Sequence, residues 1–162
     1  MELLLIQLFI FISYITYIVS TYGVLPSISE SWYRLPLKLK GLFTLFTWGI
    51  GIPMLLYGNE TMFLSGAGLC FVGAATQFKM TAAYTRLIHY AGAGVGIILP
   101  LLYFAFGYEV YAPILFQIIS AVLIMAIPKI DNKLWWIEIV GFLTIACGIY
   151  WVLPEMYYVG NW

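Results

Sequence analysis

Long apolar runs alternate with short polar gaps along this chain, and six such runs account for most of its 162 residues. We place them at about 3–25, 37–57, 62–78, 87–107, 109–127 and 134–153. A helix needs about 20 apolar residues to cross the hydrocarbon core of a bilayer. The pattern predicts an all-α membrane protein, a bundle of six transmembrane helices in three hairpins, with residues 1–162 as a single integral membrane domain.

The positions of the charged residues predict how this bundle is oriented. The seven basic residues all fall in alternate gaps between the runs, namely Arg34, Lys38, Lys40, Lys79, Arg86, Lys129 and Lys133. The charged residues of the two ends and of the other gaps are acidic: Glu2, Glu60, Glu109 and Glu155. Because cytoplasmic loops of membrane proteins collect Lys and Arg, we expect loops 26–40, 79–86 and 128–133 to be cytoplasmic. Both termini are then extracytoplasmic, and we expect a multi-pass protein of the cell inner (plasma) membrane.

Composition narrows the classes of partner. The chain is 64% hydrophobic and 9% charged, with a formal net charge of zero, whereas an ordinary soluble domain is roughly 25% charged. Six spans leave room only for short loops and none for a soluble catalytic domain. A balanced charge offers no basic face for nucleic acid. The expected partner is the lipid bilayer, and a homo-oligomer stays open.

Prolines and one polar stretch mark the predicted ends of the runs. Pro26 ends the first run, Pro128 the fifth and Pro154 the sixth, because proline cannot continue the hydrogen-bond ladder of a helix. The segment 26–40 is the longest polar stretch, and a short amphipathic helix at the membrane interface after Ser29 is one interpretation of it.

Four polar residues form a candidate site on the cytoplasmic side. Glu138 is the one acid well inside a run, and intramembrane carboxylates by default suggest function. His89 is the only histidine; it lies at the same depth, near Arg86, and histidine titrates near neutral pH. Gln117 is the most polar residue near mid-depth. The alternatives are that Glu138 extends to water or pairs with a loop base, and that His89 is simply interfacial.

Small residues predict close helix packing. Gly66, Cys70, Gly73 and Gln77 follow helical spacing on one face of the third run, and Gly92 and Gly96 do so on the fourth. Small faces let helix backbones approach each other in lipid, so we expect the third and fourth runs to pack closely. A narrow polar path between them is the functional alternative.

No cofactor or metal is expected. One histidine and two cysteines, Cys70 and Cys147, both inside apolar runs, give no zinc-ligand spacing. The glycines of the fourth run lie within an apolar helix, not between a strand and a helix as a phosphate-binding loop requires. No catalytic residue is assigned.

Four segments carry a resemblance to other proteins. Pro26–Tyr33, Leu42–Phe46, Gly66–Gly73 and His89–Ala93 together resemble segments of small uncharacterised polytopic membrane proteins of bacteria and their phages. The resemblance covers about a quarter of the chain and implies no particular activity.

A second comparison is with the alkaline ceramidase-like membrane hydrolases, which also carry polar residues near the inner ends of their helices. That family's zinc site needs three histidines with a serine and an aspartate. Here His89 stands alone and no aspartate lies within a run, so the activity is not carried over.

Three functions are consistent with these observations. The leading expectation is a non-enzymatic integral membrane protein with a structural or interaction role, because no complete catalytic constellation is present. The first alternative is a small-molecule transporter or oligomeric pore, suggested by the glycine faces and Gln117. The second is a lipid-acting enzyme at the cytoplasmic face that uses His89 and Glu138 for acid–base chemistry. An enzyme is thus left undecided, with the balance against it.

Overall fold

The apolar runs fold as helices, the conformation in which a segment satisfies its own backbone hydrogen bonds in lipid. The computed structural model describes residues 1–57, 59–75 and 82–159, except for the side chains of 82, 83, 85, 86 and 153–159. These residues contain helices and no strand, which confirms the all-helical prediction for this part of the chain. The α-helices are α1 Glu2–Tyr22, α2 Ser31–Arg34, α3 Gly41–Leu55, α4 Glu60–Ala75, α5 Ala82–Gly107, α6 Ala112–Ala126 and α7 Lys133–Val159.

Helix length divides these elements into two groups. Three segments are long and apolar enough to cross a membrane: Glu2–Tyr22, Leu87–Gly107 and Lys133–Val152. Helices α3, α4 and α6 have 15, 16 and 15 residues, which at 1.5 Å per residue is about 22–24 Å. The hydrocarbon core is about 30 Å thick. By length and composition the described residues thus provide three candidate spans, whereas the sequence predicts six.

Several helix ends differ from the predicted ones because local backbone geometry decides them. Helix α1 ends at Tyr22, before Pro26, because Gly23 takes a φ of 76° and its N–H bonds to the Val19 carbonyl. A glycine with positive φ is a common helix stop. The second run was predicted to begin at residue 37, but Leu37–Leu39 is a 3₁₀ turn and α3 starts at Gly41.

The later boundaries also shift. Glu109 has a φ of 56°, a left-handed backbone conformation that separates α5 from α6. The fifth predicted run therefore becomes helix α6, which starts at Ala112 and not at 109. Helix α7 continues past Pro154 to Val159, so that proline does not end it. Prolines inside membrane helices are tolerated when neighbouring groups satisfy the freed carbonyl. Part of the predicted loop 79–86 belongs to α5, and residues 76–81 lie outside the described part.

Five helices form a ring, and helix α6 lies outside it. In order of contact the ring is α1, α3, α4, α5 and α7, with α7 returning to α1. Helix α6 packs against α5 and α7, and Pro113 is its one buried residue. Large apolar side chains point away from the bundle, with Phe9 72% and Phe106 74% exposed. Such surfaces suit lipid better than water.

Aromatic side chains fill much of the interior of the ring. Phe11 of α1 stacks on Phe142 of α7 with ring centroids 3.7 Å apart, and Tyr14 stacks on Phe46 of α3 at 4.1 Å. The segment after α1 also folds inward, since Leu25, Ile28 and Leu35 are buried. Part of the predicted polar stretch 26–40 therefore covers one end of the bundle, and its Ile28 and Leu35 belong to the core.

Candidate functional site

The ring encloses a narrow central cavity of about 110 Å³. Side chains from all five ring helices line it, most of them apolar, including Phe11, Phe43, Ile50, Val72, Phe142, Ile145 and Ile149. Along α7 the lining runs from Glu138 to Ile149, which is about 16 Å at 1.5 Å per residue. Apolar cavities of this size tend to stay dry and to accept apolar guests. The central cavity is thus a slot directed along the bundle.

A second space, here called the side groove, lies between α5 and α7 beside the segment 27–33. Its volume is about 580 Å³. It presents polar groups from Ser27, Ser29, Glu30, Tyr33, His89, Tyr90 and Glu138, and apolar ones from α5 and α7. Five residues line both spaces: Ser29, His89, Ala93, Ile97 and Glu138. The side groove therefore adjoins the central cavity where the polar residues lie.

Glu138 holds the inward-folded segment in place. Its Oε2 accepts a hydrogen bond of 2.6 Å from the Ile28 N–H, and within the described residues no donor reaches Oε1. A carboxylate that accepts a backbone N–H makes a strong, charge-assisted bond. Glu138 thus has one oxygen engaged in the fold, while the side chain lines the groove and the cavity.

A hydroxyl pair fixes the same segment from the other side. Ser31 is fully buried, and its Oγ lies 2.6 Å from the Tyr14 hydroxyl of α1. Ser31 Oγ also donates to the Ile28 carbonyl at 2.5 Å. Ser29 Oγ lies 3.0 Å from Ser27 Oγ. Sequence reasoning named Ser29 only as the start of a short helix and did not single out Ile28 or Ser31; the alternating serines of Ser27–Ser31 were the available signal.

His89 projects from α5 at the junction of the two spaces. Its ring meets the Tyr90 ring edge-on, with centroids 6.0 Å apart. Among the described residues no group is hydrogen-bonded to the imidazole. A histidine that lines the same groove as a carboxyl group can serve a ligand there as hydrogen-bond donor or acceptor.

A buried glutamine in the wall of the central cavity was also missed by sequence reasoning. Gln7 of α1 is 2% exposed and lines the cavity. Its Nε2 donates to the Ile50 carbonyl at 2.8 Å, and its Oε1 accepts from the Tyr57 hydroxyl at 2.9 Å. Because both ends of the amide are hydrogen-bonded within the protein, Gln7 has a structural role in the cavity wall.

Of the other two members of the predicted polar site, Gln117 does not join His89 and Glu138. Gln117 lies at the α6–α7 contact, where its Nε2 donates to the Ile137 carbonyl at 3.3 Å and its Oε1 is buried without a partner. It lines neither the central cavity nor the side groove. The Arg86 backbone is in α5, but its side chain is outside the described part of the structure.

The predicted packing residues bring backbones together at two contacts. A Cβ added at Gly66 would lie 2.5 Å from the Gly51 carbonyl oxygen of α3, and one added at Gly92 would lie 2.7 Å from the Gly68 oxygen of α4. The stripe of Gly66, Cys70 and Gly73 therefore faces α3 and not α5. Gly92 and Gly96 face α4, where the Ser65 hydroxyl donates to the Gly96 carbonyl at 2.8 Å. Gln77, on the same predicted stripe, lies outside the described residues.

Within the described residues, no three His, Cys, Asp or Glu side chains come together as they would around a metal ion. Ser29, His89 and Glu138 are the polar residues that line both the central cavity and the side groove. Compared with protein-family models, curated proteins and solved structures, the chain matches none of them.

Proposed function

We propose that this chain is a six-span protein of the inner (plasma) membrane with both termini outside the cytoplasm, and that it binds a membrane amphiphile without reacting with it. Three helices are long and apolar enough to span. The alternating loop charges favour six crossings. Short apolar helices are accommodated by local thinning of the bilayer at a modest cost, which is how α3, α4 and α6 would cross.

The observation that carries the binding proposal is the junction of the side groove and the central cavity. At that junction His89, Ser29 and Glu138 provide polar groups, and beyond it the cavity is lined almost entirely by apolar side chains. Ligand sites are typically apolar concavities with a few convergent polar groups. A molecule with a small polar head and an apolar chain matches this distribution, and a bilayer supplies such molecules through the opening between α5 and α7.

A lipid-acting enzyme is the second candidate, because His89 and Glu138 line one groove. Acid–base catalysis needs both groups within reach of the reacting atoms. Glu138 is already hydrogen-bonded to the Ile28 N–H, which favours a positioning role for that carboxyl. The transporter alternative has less support, since Gln117 lies away from the cavity and the glycine faces are closed by backbone contacts.

Native mass spectrometry of the protein released from phosphatidylcholine nanodiscs tests the binding proposal. With monomyristoylglycerol added as the probe, we expect one bound molecule per chain. Ala93→Phe, which fills the junction of groove and cavity, is expected to abolish binding, whereas Ala126→Phe on the exposed end of α6 is expected to leave it unchanged. Equal binding by both variants would overturn the proposal, and release of free glycerol or myristate would establish the enzyme instead.

Cysteine labelling tests the proposed topology. In a background with Cys70 and Cys147 replaced by alanine, we expect a membrane-impermeant maleimide to label Glu109→Cys on intact cells. Lys129→Cys is expected to react only after permeabilisation. Labelling of both from the same side would contradict the alternation of spans.

A further inference from the structure

The polar residues of the side groove favour some amphiphile head groups over others. This inference rests on the binding function proposed above. We infer that the site takes a single-chain amphiphile whose head carries hydrogen-bond donors and no negative charge. Its head lies at Glu138 and Ser29, and its chain lies in the central cavity. A monoacylglycerol and a long-chain amine both have this chemistry.

One carboxyl oxygen at the junction has no donor among the described residues. Glu138 uses Oε2 for the Ile28 N–H, and its Oε1 has no donor among the described residues. Glu30 adds a second carboxyl to the groove lining. A carboxyl oxygen left without a donor in a half-buried site carries an unfavourable desolvation cost. A head with O–H or N–H groups removes that cost, whereas a head made only of acceptors does not.

The lysine and arginine side chains that the structure describes lie away from the side groove. No lysine or arginine of the described side chains lines the groove. Lys40 lies with Nζ 3.8 Å from the Trp32 ring centroid, and Lys133 Nζ donates to the Met125 carbonyl at 2.7 Å. Arg34 and Lys38 are exposed. A phosphate head would therefore enter a half-buried site beside carboxyl groups and would meet no counter-charge from the described side chains, which is unfavourable.

The width of the central cavity limits how many acyl chains it can hold. Its volume of about 110 Å³ extends along α7 from Glu138 to Ile149, so its cross-section is small. The stacked rings of Phe11 and Phe142 also border it, with centroids 3.7 Å apart. A slot this narrow admits one unbranched chain and excludes a second chain on the same glycerol.

Photo-crosslinking with a matched set of probes tests the inference. Each probe has the same diazirine-bearing tetradecyl chain, and the heads are glycerol, ammonium or phosphate; the protein is in phosphatidylcholine nanodiscs. We expect the glycerol and ammonium probes to crosslink to the cavity lining of α7. The phosphate probe is expected to need about tenfold more ligand, the factor typical of losing hydrogen bonds to a charged group.

Variants separate the head-group inference from the binding proposal. Glu138→Leu should equalise the three probes, Glu138→Gln should keep glycerol binding but weaken ammonium binding, and Glu60→Leu, an acid at the other end of the bundle, should change nothing. If the phosphate probe binds as tightly as the glycerol probe or more tightly, the inference is overturned. If Arg86→Ala then abolishes phosphate-probe binding, Arg86 is the cation responsible. Absence of crosslinking for every head would instead refute the binding function itself.

Discussion

Helix α5 meets its two neighbours in the ring in opposite ways. Towards α4 it presents Gly92, whose missing Cβ lets its backbone lie against Gly68. Towards α7 it presents His89, Ala93 and Ile97, and the side groove remains between the helices. In lipid, backbones that approach closely gain dispersion contacts that bulkier residues prevent. Helix α5 thus makes a close backbone contact with α4 and leaves a groove towards α7. The size of the residues on each face determines how closely the neighbouring helix packs.

The largest effect is expected where the close backbone contact is broken. A Cβ at Gly92 would lie 2.7 Å from the Gly68 carbonyl oxygen, whereas one at Gly94, two residues further along α5, meets nothing within 4 Å. Overpacking a tight contact costs about 1–3 kcal/mol, so Gly92→Ala should unfold at clearly lower denaturant concentration. Gly94→Ala, which removes a flexible glycine from a helix, should be neutral or more stable.

Unfolding of the two variants in mixed micelles with increasing sodium dodecyl sulphate measures this difference. Equal stability of Gly92→Ala and Gly94→Ala would show that α4 and α5 have room for a Cβ at Gly92, so that their backbones are not in close contact there.

The open side depends on the bond between Glu138 and the Ile28 N–H. In Glu138→Leu the buried amide loses its acceptor, which costs about 1–3 kcal/mol. Glu138→Gln keeps a carbonyl acceptor at the same place and should lose less. Hydrogen exchange at the Ile28 amide is expected to accelerate in the leucine variant only. Rapid exchange in the unmodified protein would mean that Glu138 does not hold the segment.

A smaller effect is expected at the hydroxyl pair that ties the same segment to α1. Tyr14 OH and Ser31 Oγ are 2.6 Å apart and buried. Tyr14→Phe and Ser31→Ala should each lower stability by about 1 kcal/mol. Because residues in direct contact are not additive, the double variant should lose less than the sum. Full additivity would indicate that the pair does not interact.

The sequence predicts the all-helical class because a long apolar run is a local property of the chain, whereas three of the six predicted spans prove to be short helices. It predicts the site only in part. The depth of His89 and Glu138 in their runs suggested a shared level, and the structure brings both to one groove. Ile28 was not foreseeable, since it meets Glu138 across 110 positions of the chain. Gln117 was placed by depth alone, but the order of helices around the ring decides whether a face of α6 reaches the cavity.

The smallest effect is therefore expected at Gln117, outside the ring. Its Nε2 bond to the Ile137 carbonyl is 3.3 Å long and its Oε1 is buried without a partner. An unsatisfied polar atom costs free energy that an apolar replacement of similar shape removes. Gln117→Leu should change stability by less than about 1 kcal/mol and leave monomyristoylglycerol binding intact. Loss of binding in Gln117→Leu with an unchanged denaturation midpoint would place the ligand path between α6 and α7, and would reverse the assignment of the open side to α5 and α7.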